Sequence, residues 1–363
     1  MSGGGTGGHV YPALSVLDAL KELVGQENLQ VLYVGHQRGV EATLVPRHGV
    51  PLRTVPGGQV RGQAPWTLAR NLLLEARGYV QARRIVREFR PHVGFITGGW
   101  VTAPVALALR RANVPLVIYL PDVRPGLAIR TLQRLAQSVA VTVEEAAAYF
   151  PGKAVVTGYP VRKAILDARR DQARERLGLP QEDRVVLVFG GSRGARSINR
   201  AVVSHVETIL SLAHVVHMTG ALDYRWVREA ADRLAPTLRS RYHVYEYLHE
   251  EMPLALAAAD VVVSRAGASV LGEFPARGLP AVLVPYPHAG RHQEYNARYL
   301  VDRGAAVLVD DARLQEDLVP TLRGILEDDG QRRRMAEAAR SAFRAGGSRR
   351  IACELLRWGG RPC

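Results

Sequence analysis

Ser264-Arg265-Ala266-Gly267-Ala268-Ser269-Val270-Leu271-Gly272-Glu273 follows the apolar run 261–263, and its reading decides the fold. A strand ends in a small-residue turn, and the segment beyond has helical composition with Glu273 about one turn in. A helix N-terminus presents unsatisfied N–H groups and the positive end of its dipole, so such a junction receives an anion. A phosphate fits there, and a carboxylate one turn deeper reaches the hydroxyls of a ribose. The same small residues, Gly267, Ala268 and Gly272, also permit close packing of a helix on a sheet. This stretch alone leaves both readings open.

Further copies of the device tip the balance toward anion binding. The chain opens with Gly3-Gly4-Gly5-Thr6-Gly7-Gly8-His9 and an apolar-periodic helix through Tyr11, Leu14, Val16, Leu17 and Leu20. A loop of this kind normally follows a strand, so the expectation is that a first strand belongs upstream and that the start lies too late to include it. Gly98-Gly99-Trp100-Val101-Thr102-Ala103-Pro104 is another strand-to-helix turn, and Gly190-Gly191-Ser192-Arg193-Gly194-Ala195-Arg196 follows the apolar run 185–189. The Gly3-x-Gly5-x-x-Gly8 spacing fits a dinucleotide fingerprint, but the strand 31–34 ends in Gly35-His36-Gln37-Arg38 without the ribose-binding acid. A nicotinamide-dependent oxidoreductase is therefore the least supported enzyme class. No Lys-Ser/Thr pair completes a P-loop.

Strands at 31–34, 93–96, 116–118, 139–143, 154–156, 215–218, 244–247, 261–263, 281–284 and 306–309 alternate with helical segments. Such alternation predicts parallel strands with crossover helices. The fold class is α/β, with two Rossmann-like doubly wound domains facing a cleft. The rhythm pauses at Thr157-Gly158-Tyr159-Pro160-Val161-Arg162, which reads as the interdomain linker. This gives domains at 1–158 and 159–335. A last helix, 331–358, is expected to return residues 336–363 to the first domain.

At 363 residues and 47% hydrophobic content the chain supports two cored domains. Its net charge is +14, carried almost wholly by arginine, since Lys21, Lys153 and Lys163 are the only lysines. Such a surface attracts nucleic acid, anionic headgroups or phosphorylated substrates, or reflects a compositional bias toward arginine. Specific nucleic-acid binding is not expected, because no zinc-finger, basic-zipper or aromatic RNA-binding pattern is present. Cys353 and Cys363 form neither a metal-ligand cluster nor a disulfide framework by spacing, which suits a reducing cytoplasm. No apolar run reaches the roughly 18 residues that span a bilayer, so membrane contact is expected to be peripheral. Residues 61–90 hold seven arginines interleaved with Trp66, Leu68, Leu72, Leu73, Leu74 and Tyr79. That segment is either a docking patch for an anionic leaflet or a helix with its apolar side in the core.

Opposed glycine-rich rims suit a nucleotide diphosphate on one side and a second substrate on the other. Ser192 with the N–H groups after it, and Ala268, Ser269 and Val270, would hold the diphosphate. Helix N-termini stabilise the charge that develops on such a leaving group, and no Asp-x-Asp motif is present, so neither a metal nor another cofactor is expected. The nucleophile would be a hydroxyl and needs a general base. His9 is the only titrating side chain in its loop.

At these residues the chain resembles the MurG family, the peptidoglycan N-acetylglucosaminyltransferases. The resemblance spans Gly3 to His9 with Tyr11-Pro12-Ala13, Glu41-Ala42 with Val45-Pro46-Arg47-His48-Gly49, and Gly98 to Pro104. It continues through Gly158 to Arg162, Gly190 to Ala195, Arg265 to Glu273 and His292-Gln293 with Asn296-Ala297. It implies the GT-B architecture and inverting transfer from UDP-N-acetylglucosamine to undecaprenyl-diphospho-muramoyl-pentapeptide. It also implies a peripheral place on the anionic cytoplasmic face of the cell membrane, with cell-wall synthesis proteins as further partners. Carried over, Glu273 meets the ribose, Ser192 and Ala268 to Val270 the diphosphate, Arg162 and Leu248 the uridine side, and His292 and Gln293 the sugar. Thr6, Gly7, Gly8 and His9 face the acceptor and its diphosphate.

The family shows His-Glu-Gln-Asn after the strand 116–118, where this chain has Tyr119-Leu120-Pro121-Asp122. Asp122 takes the Asn position and is an alternative base, or else a turn former after Pro121. Two competitors remain: a transferase or UDP-sugar 2-epimerase of the same architecture acting on other substrates, such as another lipid, and a non-catalytic UDP-sugar-binding partner.

Overall fold

The computed structural model describes residues 1–58, 65–191, 194–287 and 292–363, of which 65–70 and 72 as helical backbone. The chain divides into two compact units, Met1–Arg162 with Arg344–Cys363, and Lys163–Phe343.

In the first unit the strands are β1 (Tyr33–Gly35), β2 (Leu52–Thr54), β3 (Gly94–Ile96), β4 (Leu116–Leu120), β5 (Ser138–Val141) and β6 (Ala154–Val156). They form parallel sheets of order β1-β2 and β3-β4-β5-β6. Ser2 stands between these sheets, bridged in parallel to Val34 and to Ile96. The second unit carries β7 (Val185–Phe189), β8 (His214–Met218), β9 (Tyr242–Tyr245), β10 (Val261–Ser264), β11 (Ala281–Leu283) and β12 (Ala306–Leu308). These make one parallel sheet of order β12-β11-β10-β7-β8-β9.

Every residue of β7 and β10 is buried, as expected of central parallel strands covered by helices on both faces. The uninterrupted Val185-Val186-Leu187-Val188-Phe189 run has no polar side to show to solvent.

Several expectations are corrected. Val31 and Leu32 precede β1 rather than belonging to it. β2 was not expected, because Leu52-Arg53-Thr54 is short, part-exposed and carries a charge. The expected last helix is two, Asp329–Ala342 and Gly347–Trp358. Gly346, at φ 77°, breaks it, a conformation favoured by a residue without a Cβ. The unit boundaries fall at 162/163 and 343/344 rather than at 158/159 and 335/336. The later helix packs on Gly7–Val24, and Arg350 clasps the Thr157 carbonyl through Nε at 2.8 Å. Cys353 and Cys363 are not separate thiols: they form a disulfide, with Cα atoms 5.0 Å apart.

Candidate functional site

In open parallel sheets, ligands bind beyond the carboxyl ends of strands where the strand order reverses. In the second unit that point lies between β7, which leads to β8 on one side, and β10, which leads to β11 on the other. The turns after β7 and β10 are the two glycine-rich stretches read from sequence. Gly190 passes Ala195 so closely that a Cβ would sit 2.2 Å from the Ala195 nitrogen, and Gly194, at φ 75°, presses on the Thr219 carbonyl. Ser192 and Arg193, at the tip, lie outside the described residues, as do residues 288–291.

A cavity of about 440 Å³ opens between these turns, lined by Gly190, Ser197, Arg265, Tyr286, Gln293 and Asp311 among others. That volume is within the range of small-molecule sites. Arg265 leaves the end of β10 and is fixed on several sides. Nη1 donates to Asp311 Oδ1 at 2.6 Å and to the Val284 carbonyl at 3.2 Å, and Nη2 donates to Ser197 Oγ at 2.8 Å. The guanidinium lies 5.4 Å over the Tyr286 ring. Ser197 completes the triangle by donating to the same Asp311 oxygen at 2.6 Å. A cation held this way is set for an anion without losing rotamer freedom when one binds. Residue-level sequence reasoning passed over Arg265, Ser197, Tyr286 and Asp311. Their signal was an arginine in the first position after a buried strand.

The expected helix after Gly267 is instead a 3₁₀ turn, Ala268–Leu271, and an α-helix begins only at Glu273. Val270 N–H donates to the Gly267 carbonyl at 3.1 Å, and the Val270 side chain is buried. By helical geometry the outward-directed donors of this turn are those of Ala268 and Ser269. Glu273 is buried at the start of its helix. Gln293, in the helix His292–Val301, accepts from the Tyr286 N–H at 2.9 Å and so ties that helix to the cavity wall. Leu248 is buried, with its N–H on Met218 Sδ at 3.2 Å.

Behind the cavity is a buried polar cluster. His217 meets the Tyr242 hydroxyl through Nδ1 at 2.8 Å and Asn199 Oδ1 through Nε2 at 3.0 Å. Burial drives its pKa down to about 3, although Asp223 opposes the shift. Asn199 in turn donates to Asp223 Oδ2 at 2.9 Å. Burial alone would raise the Asp223 pKa, but hydrogen bonds from Trp226, Asn199 and Arg196 bring it below the usual value. His217 is thus a neutral structural histidine.

The first unit has its own reversal point, between Ser2, which is flanked by β1 and β3, and β3 itself. The turns that follow, 3–9 and 97–99, touch backbone to backbone. Gly4 N–H donates to the Gly98 carbonyl at 3.1 Å, and a Cβ on Gly99 would sit 2.5 Å from the Gly4 oxygen. The first loop is therefore anchored: the Tyr33 hydroxyl donates to the Gly3 carbonyl at 2.8 Å, and Thr97 Oγ1 donates to the His9 carbonyl at 2.7 Å. Glu41, wholly buried, accepts the N–H groups of Gly5 at 3.1 Å and His36 at 2.9 Å. Sequence reasoning gave Glu41 no such role, because an acid in the first turn of a helix is commonplace.

His9 lies in the first turn of Gly7–Val24, with Nδ1 2.9 Å from the Gly4 carbonyl and Thr6 Oγ1 at 3.5 Å. A carbonyl only accepts, so Nδ1 carries a proton, and in a neutral ring the lone pair is then on Nε2. Nε2 points along the Gly98 backbone, where a Cβ would approach it to 3.0 Å. Gly7 and Gly8 belong to the same turn. Tyr119 and Leu120 are buried residues of β4 rather than loop residues, and the Tyr119 hydroxyl meets Thr142 Oγ1 at 2.7 Å. Burial raises the Tyr119 pKa well above the usual range. Asp122 lies half-buried in the bend after β4. Arg162 falls in the first unit, its guanidinium 4.4 Å over the Tyr11 ring. Among the described residues no cluster of His, Cys, Asp or Glu is arranged to hold a metal ion.

Comparison with known proteins matches residues 1–141 to the glycosyltransferase family 28 N-terminal domain and 185–351 to its C-terminal domain. The UDP-N-acetylglucosamine–N-acetylmuramyl-(pentapeptide) pyrophosphoryl-undecaprenol N-acetylglucosamine transferase of Moorella thermoacetica is 42% identical, the match covering 98% of each chain. The protein of the same name from Roseiflexus sp. is 41% identical over 96% of this chain and 92% of its own. The crystal structure of Acinetobacter baumannii MurG superposes with a TM-score of 0.73 over 98% of both chains at 24% identity, sharing the two-domain GT-B fold. The chain is a glycosyltransferase of family 28 and belongs to the MurG family of N-acetylglucosaminyltransferases.

Proposed function

We propose that the chain moves N-acetylglucosamine from UDP-N-acetylglucosamine to a hydroxyl of undecaprenyl-diphospho-N-acetylmuramoyl-pentapeptide, with inversion at the anomeric carbon. The observation that carries this reading, beside family membership, is the contact of His9 Nδ1 with the Gly4 carbonyl. With Nδ1–H committed to the Gly4 carbonyl, Nε2 is a lone pair beside the glycine-only turn at Gly98, where a hydroxyl can approach.

The acceptor oxygen forms its bond to the sugar C1 as the C1–oxygen bond to UDP breaks. The electron pair leaves with the diphosphate, and the acceptor proton goes to His9 Nε2. Arg265 and the N–H groups of Ala268 and Ser269, with the turn at Gly190, stabilise the departing charge. Glu273 holds the ribose, His292 and Gln293 the sugar, and Thr6 with Gly7 and Gly8 the acceptor diphosphate. Asp122 is the alternative base.

Because the acceptor is a lipid, the enzyme works as a peripheral protein on the cytoplasmic face of the membrane. No helix among the described residues is long and apolar enough to cross a bilayer. On the helix Pro65–Phe89, Leu73, Arg77, Val80, Arg84 and Arg87 are exposed and recur at helical spacing. Such a mixed apolar and cationic stripe supports docking on anionic headgroups. Of the apolar residues named from sequence, Leu74 and Tyr79 are half-buried, while the side chains of Trp66, Leu68 and Leu72 lie outside the described residues.

The test is UDP release from UDP-N-acetylglucosamine with and without a lipid-linked muramoyl-pentapeptide analogue. Release that depends on the acceptor and falls by about 10²–10⁴ in His9→Ala supports the transfer and the base. Retained release in that variant with loss in Asp122→Asn moves the base to Asp122. Binding of UDP-sugar with no release under any acceptor rejects the transferase in favour of a binding partner.

A further inference from the structure

His9 and Glu41 meet one peptide group from opposite sides. The carbonyl of the Gly4–Gly5 peptide is the Gly4 oxygen that faces His9 Nδ1 at 2.9 Å, and its N–H is the Gly5 nitrogen that donates to Glu41 Oε2 at 3.1 Å. The peptide is trans, so these two bonds point apart and a single planar unit joins the carboxylate to the ring. Glu41 is wholly buried and walled in by glycines. A Cβ on Gly4 would sit 2.3 Å from Oε1, one on Gly39 2.2 Å from Oε2, and one on Gly35 2.6 Å from Cγ. The peptide is held as firmly: Gly4 N–H donates to the Gly98 carbonyl at 3.1 Å, and a Cβ on Gly99 would approach the Gly4 oxygen to 2.5 Å. Gly5, at φ 87°, sets the angle between this peptide and the helix that carries His9.

Holding the N–H groups of Gly5 and His36 does not call for a charge. A neutral oxygen accepts such bonds too, whereas a desolvated carboxylate costs stability unless it is paired. What the charge adds is a field in a place that water does not screen. Tyr33 registers that field, because after desolvation the Glu41 charge is the next cause that raises its phenol pKa. The Gly4–Gly5 peptide touches the same charge directly. A carboxylate on a peptide N–H draws the amide toward its charge-separated resonance form and makes the carbonyl oxygen more negative, so hydrogen bonds in series strengthen one another. The bond so strengthened is the one that His9 Nδ1–H makes to the Gly4 carbonyl.

We propose that Glu41 is a positioning residue for the transfer, acting on His9 through the Gly4–Gly5 peptide: it keeps the Nδ1 proton in place and stabilises the imidazolium that forms as Nε2 takes the acceptor proton. This rests on His9 being the base. A carboxylate that touches a histidine directly does both of these things. Here a peptide group stands between the two, so the effect is smaller. No proton travels through the peptide. The acceptor hydroxyl gives its proton to Nε2, while Nδ1 and the Gly5 nitrogen keep theirs.

The test is Glu41→Gln, which keeps the size and an acceptor oxygen but removes the charge. With UDP-N-acetylglucosamine and a lipid-linked muramoyl-pentapeptide analogue, kcat is expected to fall about tenfold while KM for the UDP-sugar stays within about twofold. In a His9→Ala background the same substitution should leave kcat within about twofold, because the ring it acts through is gone. The second readout is ¹⁵N NMR of ring-labelled histidine, with His9 identified by the signals that His9→Ala removes. The neutral ring is expected to be mainly the Nδ1–H form in the unaltered chain, and Glu41→Gln to draw the Nδ1 and Nε2 shifts toward each other. Predominance of the Nε2–H form in the unaltered chain overturns the proposal without any variant at Glu41. Where His9→Ala abolishes transfer, unchanged kcat or unchanged nitrogen shifts in Glu41→Gln overturn it as well. An equal fall in kcat with and without His9 does the same, since Glu41 would then act on the loop alone. Transfer retained in His9→Ala, with nitrogen shifts that still move in Glu41→Gln, rejects His9 as the base but supports the link from Glu41 to the ring.

Discussion

Asp311 holds Arg265 at 2.6 Å through the same oxygen that receives the Ser197 hydroxyl. The two residues are 46 positions apart, and only the sheet order brings the turn after β10 beside the short helix Asp311–Arg313. Asp311→Asn keeps the shape but removes the charge that aims the guanidinium. The expected result is a fall in kcat/KM for the UDP-sugar on the order of tenfold, with near-normal unfolding. Arg265→Lys should lose at least as much, because an ammonium cannot span Asp311 and Ser197 together. Steady-state kinetics on both variants checks this, and unchanged kinetics in Asp311→Asn removes Asp311 from the site.

Gly98 combines φ 113° with a Cα beside His9 Nε2. Gly98→Ala strains the turn by about 1–3 kcal/mol and puts a methyl against the lone pair. Transfer should therefore fall more steeply than stability does. Parallel measurement of kcat and the urea midpoint separates the two effects.

Glu41 ties β1 to the first glycine loop through the N–H groups of Gly5 and His36. Glu41→Ala leaves those donors without that acceptor and should cost about 1–3 kcal/mol of stability. Hydrogen exchange at Gly5 and His36 should accelerate first. Exchange unchanged at both amides would mean that other groups hold the loop.

His217 is neutral in the folded protein, with a pKa near 3, while an unfolded histidine titrates near 6.5. Above pH 6.5 neither state takes up a proton and the group is without effect. As pH falls from 6.5 toward 3 the unfolded state gains a proton the folded state refuses, so stability declines by about 1.4 kcal/mol per pH unit. The unfolding temperature of the second unit should drop over this window, and His217→Gln should flatten the slope. Calorimetry between pH 7.5 and 4.5 decides it, and equal slopes would mean that other groups dominate acid unfolding.

The parallel sheets were readable wherever local composition sufficed. The runs 154–156 and 185–189 became β6 and β7 at those bounds: β7 is wholly buried and so apolar on both faces, and β6 is a half-buried apolar edge strand. β2 escaped notice since its middle residue, Arg53, is exposed. Gly272 and Pro275 shape the turn after β10 into a 3₁₀ segment where composition suggested a longer helix. The glycine turns and His9 stood out as sequence, since their chemistry is local. Glu41 and Asp311 did not, because each acts on a partner 36 or 46 positions away. The tautomer of His9 rests on the Gly4 carbonyl, which no side-chain pattern announces.

The helix Gly347–Trp358 belongs to the same unit as the chain's first residues, while Lys163–Phe343 is contiguous. During synthesis the later half has all of its parts before the earlier one does. The helix Gly7–Val24 waits, one apolar side uncovered, until Gly347–Trp358 leaves the ribosome. A protein stalled or cut near Phe343 would release a finished second unit attached to a first unit lacking its cover, a species prone to aggregate rather than one with half the activity.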